Sequence, residues 1–78
     1  MLKYKLHKED EKNITYLYFP EGHEEFGSVT LSKISGEISE HIQAKTDEFK
    51  RYLFHMIDEL EEFFDKGEFR KEGIVAWY

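Results

Sequence analysis

This 78-residue sequence contains no cysteine, so its histidines and carboxylates are the first side chains to consider for metal binding and for acid and base catalysis. Without a thiol there are no disulfides, thiolate zinc sites or cysteine nucleophiles. One of the four histidines, His23, stands among three glutamates in the segment 21–25. That spacing fits no established ligand pattern, and a flexible loop does not preorganise a coordination sphere. We therefore predict a solvated loop here and no metal site.

A run of acidic residues could supply acid and base catalysis or an anionic docking face. Five of them fall within eight positions: Asp58, Glu59, Glu61, Glu62 and Asp65. Paired carboxylates need a partly desolvated pocket that separates their pKa values, and the wet side of an amphipathic helix offers none. His55 and Glu59, one helical turn apart, fall on the same polar side. We expect no catalytic residues, no cofactor and no enzyme activity.

One long helix is predicted from Thr46 to Lys66. Thr46 is a suitable N-cap, acidic residues follow it in the first turn, and Gly67 supplies the C-terminal stop. Apolar side chains recur at three- and four-residue steps, as a helix that packs on a sheet requires. They are Phe49, Tyr52, Leu53, Met56, Ile57, Leu60, Phe63 and Phe64.

Four strands are predicted before this helix. Residues 2–7 alternate between apolar and polar, and the segment 14–19 is apolar or amphipathic on both faces, which favours a central strand. The segment 20–27 is predicted to be a loop whose Phe26 folds back toward the core. Residues 28–34 and 37–43 flank Ser35-Gly36, a dipeptide suited to a two-residue hairpin loop. That loop would place Val29, Leu31, Ile38 and Ile42 on one surface, under the helix.

These elements predict an α+β fold, with residues 1–78 in a single compact domain. An antiparallel meander of four strands packs on one long α-helix, and the apolar end of the chain either adds a fifth strand or lies against the helix. No apolar run approaches the ~18 residues that a membrane span requires. We expect a soluble, cytoplasmic protein.

A single helix covers one face of the sheet, so the other face is predicted to be open. If Leu17 and Phe19 point inward, the open face presents Lys3, Lys5, His7, Tyr16, Tyr18, Thr30, Ser32 and His41. Tyrosine beside serine and threonine is typical of protein-recognition surfaces. We therefore predict a protein-interaction module, binding another protein or a second copy of itself through residues that include Tyr16, Tyr18 and His41.

A second candidate surface lies on the helix. Phe54 falls about 60° beyond the apolar stripe, among charged residues. Either the chain's own Trp77 or Tyr78 packs over it, or these three aromatic residues together contact a partner.

Single-stranded nucleic acid is the alternative partner. A formal net charge of −6, from 17 acidic and 11 basic residues, disfavours a polyanion. Lysines nevertheless gather on the first strand, where bases could stack on Tyr16 and Tyr18.

Overall fold

The computed structural model describes residues 1–76 and contains one sheet and one helix. The elements are β1 (Leu2–Glu9), β2 (Asn13–Pro20), β3 (Gly27–Ser32), β4 (Ile38–Ile42), α1 (Arg51–Lys66) and β5 (Glu72–Val75). Every neighbouring pair of strands is antiparallel, in the order β4-β3-β2-β1-β5. The α+β prediction is confirmed: the first four strands form a meander, the C-terminal segment adds a fifth strand, and β2 is central.

The core lies between α1 and one face of the sheet, called here the inner face. Seven inner-face side chains are buried: Leu2, Tyr4, Ile14, Tyr16, Tyr18, Val29 and Leu31. Leu53, Met56, Leu60 and Phe63 of the helix join them in one cluster. Each large apolar side chain buried in this way contributes about 1.5–3 kcal/mol before conformational entropy is subtracted.

The helix begins later than predicted and ends where predicted. Lys50 has a left-handed backbone (φ 60°), so α1 begins at Arg51 and the predicted N-cap at Thr46 is wrong. The apolar stripe also begins later, since Phe49 is 81% exposed. At the other end, Gly67 (φ 71°) donates its N–H to the carbonyl of Phe64 and closes the last turn.

The β3–β4 hairpin has a longer loop than predicted. Ser32 N donates to the carbonyl of Glu37 at 2.8 Å, so the loop is 33–36, and Gly36 supplies a left-handed residue at φ 78°. A β-bulge at Ser39 follows, after which Ile42 lies opposite Ser28. The predicted pairing is therefore wrong. Ile38 lies on the helix side of the sheet as predicted, opposite Leu31, but Ile42 lies on the other side.

The β1–β2 hairpin also contains a bulge, which decides what each face of β1 presents. Glu9 lies opposite Ile14, but the register shifts between Lys8 and Leu6, so that Leu6 lies opposite Tyr16. An unshifted ladder would place Leu6 opposite Leu17. Because one residue of slip exchanges the two faces of a strand, this bulge puts Tyr4 and Leu6 of β1 on the face of Tyr18 and Tyr16, and puts Lys3 and Lys5 on the face of Phe19 and Leu17.

Candidate protein-binding surface

The face of the sheet opposite α1, called here the outer face, is not covered by any element within residues 1–76. The strand registers define three rows of side chains that cross it. The first row is Ile74, Lys3 and Phe19, extended by Phe26 through its ring contact with Phe19. The second row is Glu72, Lys5, Leu17, Ser28 and Ile42, and the third is Lys8, Thr15, Thr30 and Glu40.

Five large apolar side chains lie on this outer face. They are Leu17, Phe19, Phe26, Ile42 and Ile74. Ile42 and Ile74 are 60% and 62% exposed, and Leu17 and Phe19 are half-buried by their neighbours in the sheet. The bulge in β4 accounts for Ile42, because it reverses which residues of that strand face the helix. Leu17 and Phe19 lie on the outer face because the alternate residues of β2, Ile14, Tyr16 and Tyr18, are buried under the helix.

Phe26 lies in this patch and not in the core. Its ring packs against Phe19 with 5.6 Å between ring centroids, and 53% of the side chain stays exposed. The prediction that Phe26 folds back toward the core is therefore wrong. Tilted aromatic pairs of this kind contribute about 0.5–1.5 kcal/mol beyond area burial, so the ring is held in place at the surface.

Polar groups surround the apolar patch. The hydroxyls of Thr15 and Thr30 share a hydrogen bond of 2.8 Å in the third row. Lys3 and Lys5 form no ion pair with any residue in the part of the chain that the structure describes. A patch of apolar side chains with hydroxyls and unpaired cations at its border has the anatomy of a protein interface.

Two depressions open beside the patch. One, of about 320 Å³, is lined by Lys3, Tyr4, Lys5, Phe19, Gly22, His23, Glu24 and Glu72. The other, of about 420 Å³, is lined by Glu24, Glu25, Phe26, Ile42, Gln43 and Lys45. Their side chains carry charges of both signs, so the outer face can receive protruding side chains as well as flat contact.

Tyr16 and Tyr18 lie in the core, where they cannot contact a partner. Both are fully buried on the inner face. The Tyr16 hydroxyl donates to the carbonyl of Arg70. The prediction that these two tyrosines belong to the open face is wrong, and with them the predicted stacking platform for single-stranded nucleic acid is lost.

The Tyr18 hydroxyl joins the sheet to the start of the helix. It donates to Asp47 Oδ2 at 3.2 Å and accepts the N–H of Ala44 at 2.9 Å. Burial raises the pKa of Tyr18 to about 12, and burial also raises the pKa of Tyr16. Both hydroxyls therefore remain protonated at neutral pH and act as structural donors.

The structure contradicts the predicted position of His41 and agrees with that of Phe54. His41 is exposed, but its register partner is Val29, so it is on the helix side of the sheet and its predicted place on the open face is wrong. Phe54 is 57% exposed on α1, as its position beyond the stripe predicts. Trp77 and Tyr78 lie outside the described residues, so the contacts predicted for them stay predictions.

Asp47 is a structural residue that the sequence interpretation missed. Its carboxylate is 1% exposed and accepts the N–H groups of Tyr52 at 3.1 Å and Leu53 at 2.8 Å. Asp47 therefore caps α1 although it lies four residues before Arg51. Capping preference, which predicts a cap at Thr46, does not indicate such an arrangement. Fixing α1 in this way keeps the helix on the inner face.

A third depression, of about 230 Å³, lies at the C-terminal end of α1. Glu59, Lys66 and Arg70 are among the residues that line it, and burial raises the pKa of the Glu59 carboxyl. Within residues 1–76, no group of three or more His, Asp or Glu side chains is arranged to hold a metal ion. No helix in the same range has the length and apolar composition needed to cross a membrane.

Comparison of the chain with models of protein families, with curated proteins and with solved structures finds no match.

Proposed function

We propose that the protein is a non-catalytic protein-interaction module that binds through the outer face of its sheet. One observation supports this proposal above the others: Leu17 and Phe19, in the central strand, face away from the only helix in residues 1–76. With Phe26, Ile42 and Ile74 they form an apolar patch. Contiguous patches rimmed by polar groups mark interaction sites on soluble domains.

The chemistry of the surface favours a protein over a small molecule. Burying apolar area contributes about 25 cal/mol per Å², and aromatic anchors such as Phe19 and Phe26 supply most of it at interfaces. The Ser28 hydroxyl borders the anchors, where a partner can bind it by a hydrogen bond, whereas Thr15 is buried and its hydroxyl is bonded to that of Thr30.

Site-specific photocrosslinking tests the proposal. A benzophenone amino acid replaces Phe19 in one variant and Phe54 in a matched control, because both positions hold aromatic side chains on opposite sides of the molecule. Cells that naturally produce the chain are irradiated, and adducts are resolved by mass. We expect protein adducts from position 19 at several times the yield from position 54. Equal yields, or adducts from position 54 alone, would contradict the proposed surface.

A further inference from the structure

The third row of the outer face carries opposite charges at its two ends. The strand registers place Lys8 opposite Thr15, Thr15 opposite Thr30, and Thr30 opposite Glu40. The row therefore runs from a cation on β1, through two hydroxyls, to an anion on β4. Such a row is self-complementary: turned through 180° about its midpoint, it presents a cation to an anion at both ends.

We infer that the occupant of the outer face is a second copy of this chain, packed face to face about a two-fold axis that runs parallel to the strands between β2 and β3. This inference rests on the proposed function. The axis exchanges β1 with β4 and β2 with β3, so Lys8 of each copy lies over Glu40 of the other. An isologous contact of this kind is the commonest way in which soluble proteins form dimers.

The same axis fixes which residues of the other two rows meet. It brings Phe19 of one copy over Phe26 of the other, which joins the two aromatic pairs at one end of the interface. It also brings Lys5 over Ile42, since these two residues end the four-strand part of the second row. Sheets pack about 10 Å apart, a gap that side chains from both layers fill together.

The overlap is large enough for a weak dimer. Four strands spaced about 4.8 Å apart span about 19 Å, and six residues at about 3.3 Å each span about 20 Å. The flat area is then about 400 Å² per copy, or about 800 Å² in total before side-chain relief is added. Interfaces near 1,000 Å² are weak or transient, so we expect a dissociation constant of about 100 µM.

Exchange of the two charges tests the geometry by sedimentation equilibrium, from about 10 µM to about 1 mM. Lys8→Glu and Glu40→Lys each place like charges together twice per dimer, and each should weaken association at least about tenfold, or about 1.4 kcal/mol. The double variant should return to within about threefold of the original. The formal net charge of −6 becomes −8 in one single variant and −4 in the other, so net charge cannot weaken both.

Substitutions at Ile42 give a second test that leaves both charged residues in place. Ile42 is 60% exposed on an edge strand, so the fold tolerates a polar residue there. Opposite Lys5 of the other copy, Ile42→Glu should strengthen association and Ile42→Lys should weaken it. Circular dichroism at each concentration confirms that every variant is folded.

Three results would overturn the inference: a monomer at about 1 mM, a dimer that neither single charge variant weakens, or a double variant as weak as the singles. A monomer that still gives photocrosslinks from position 19 to another protein overturns the dimer and leaves the proposed function standing. A monomer without such adducts removes both.

Discussion

Replacing Asp47 by alanine tests how the helix is held over the sheet. The buried carboxylate accepts two backbone N–H groups in the first turn of α1 and the hydroxyl of Tyr18 in β2. Asp47→Ala removes all three interactions at once. It leaves the N–H of Tyr52 and that of Leu53 without the acceptor that caps the helix.

The expected loss follows from these hydrogen bonds. A bond to a charged group contributes about 1.5–3 kcal/mol, and removal of the carboxylate also removes its own desolvation cost. We therefore expect Asp47→Ala to lower the free energy of unfolding by about 3–5 kcal/mol. Domains of this length have a total of about 4–12 kcal/mol, so the variant should be barely stable.

Urea unfolding followed by circular dichroism measures the change. At about 4–8 °C per kcal/mol, the melting temperature should fall by at least about 12 °C. Glu48→Ala is the matched control, because Glu48 is the exposed neighbour and its loss should change stability by no more than about 0.5 kcal/mol. A loss below about 1 kcal/mol in Asp47→Ala, or an equal loss in Glu48→Ala, would refute the role assigned to this carboxylate.

Three further predictions concern the core and its hairpins. Gly36→Ala should lower the free energy of unfolding by about 1–3 kcal/mol, because φ is 78° and the added Cβ would lie 2.6 Å from the Phe64 ring. No change in urea unfolding would contradict this loop geometry. Phe63→Ala should lower the free energy of unfolding by about 3–5 kcal/mol and Phe49→Ala by under about 1 kcal/mol, because of these two side chains only that of Phe63 is buried. Equal losses would indicate that Phe49 is buried as well. Folding raises the pKa of the Tyr18 hydroxyl to about 12, so the contribution of the protonated hydroxyl to the free energy of unfolding is complete below about pH 10 and is lost as the pH rises toward 12. Between these two pH values, Tyr18→Phe should reduce the fall of the free energy of unfolding by about 1.4 kcal/mol per pH unit. An unchanged slope would argue against the burial of Tyr18.

The order of the elements could be predicted because each carries a strong local signal. The alternation from Leu2 to Leu6 matches the burial of β1, and Gly67 ends α1 as expected. The start of the helix was not predictable from capping preference, because the acceptor at Asp47 reaches across a non-helical turn. Both Thr46 and Asp47 are good cap residues, and only tertiary packing decides between them.

The faces of the strands could not be predicted, for a more specific reason. The two faces of β2 differ little in hydrophobicity: one carries Ile14, Tyr16 and Tyr18, and the other carries Thr15, Leu17 and Phe19. Periodicity alone therefore does not show which set points toward the helix. The inward set is the one that pairs with Val29 and Leu31 of β3, and the apolar residues of β1 join it only through the bulge between Leu6 and Lys8, which no residue type marks in the sequence. The bulge in β4 likewise moves Ile42 to the outer face. Tyr16, Tyr18 and His41 therefore lie on the helix side of the sheet, whereas the expectation that the helix leaves one face of the sheet uncovered is met within residues 1–76.

Thiol labelling of Leu17→Cys measures whether a second copy covers the outer face, because the chain contains no other cysteine. If it does, the side chain at position 17 is accessible to solvent in the isolated chain and covered in the complex. At about 10 µM the introduced thiol should react more slowly than a thiol from Phe54→Cys, because Leu17 is half-buried and Phe54 is exposed. At about 1 mM the reaction of the thiol at position 17 should slow severalfold further, whereas the thiol at position 54 reacts equally fast at both concentrations. A slow reaction at both concentrations would place Leu17 inside the fold. A fast reaction at both would show that no second copy covers the outer face.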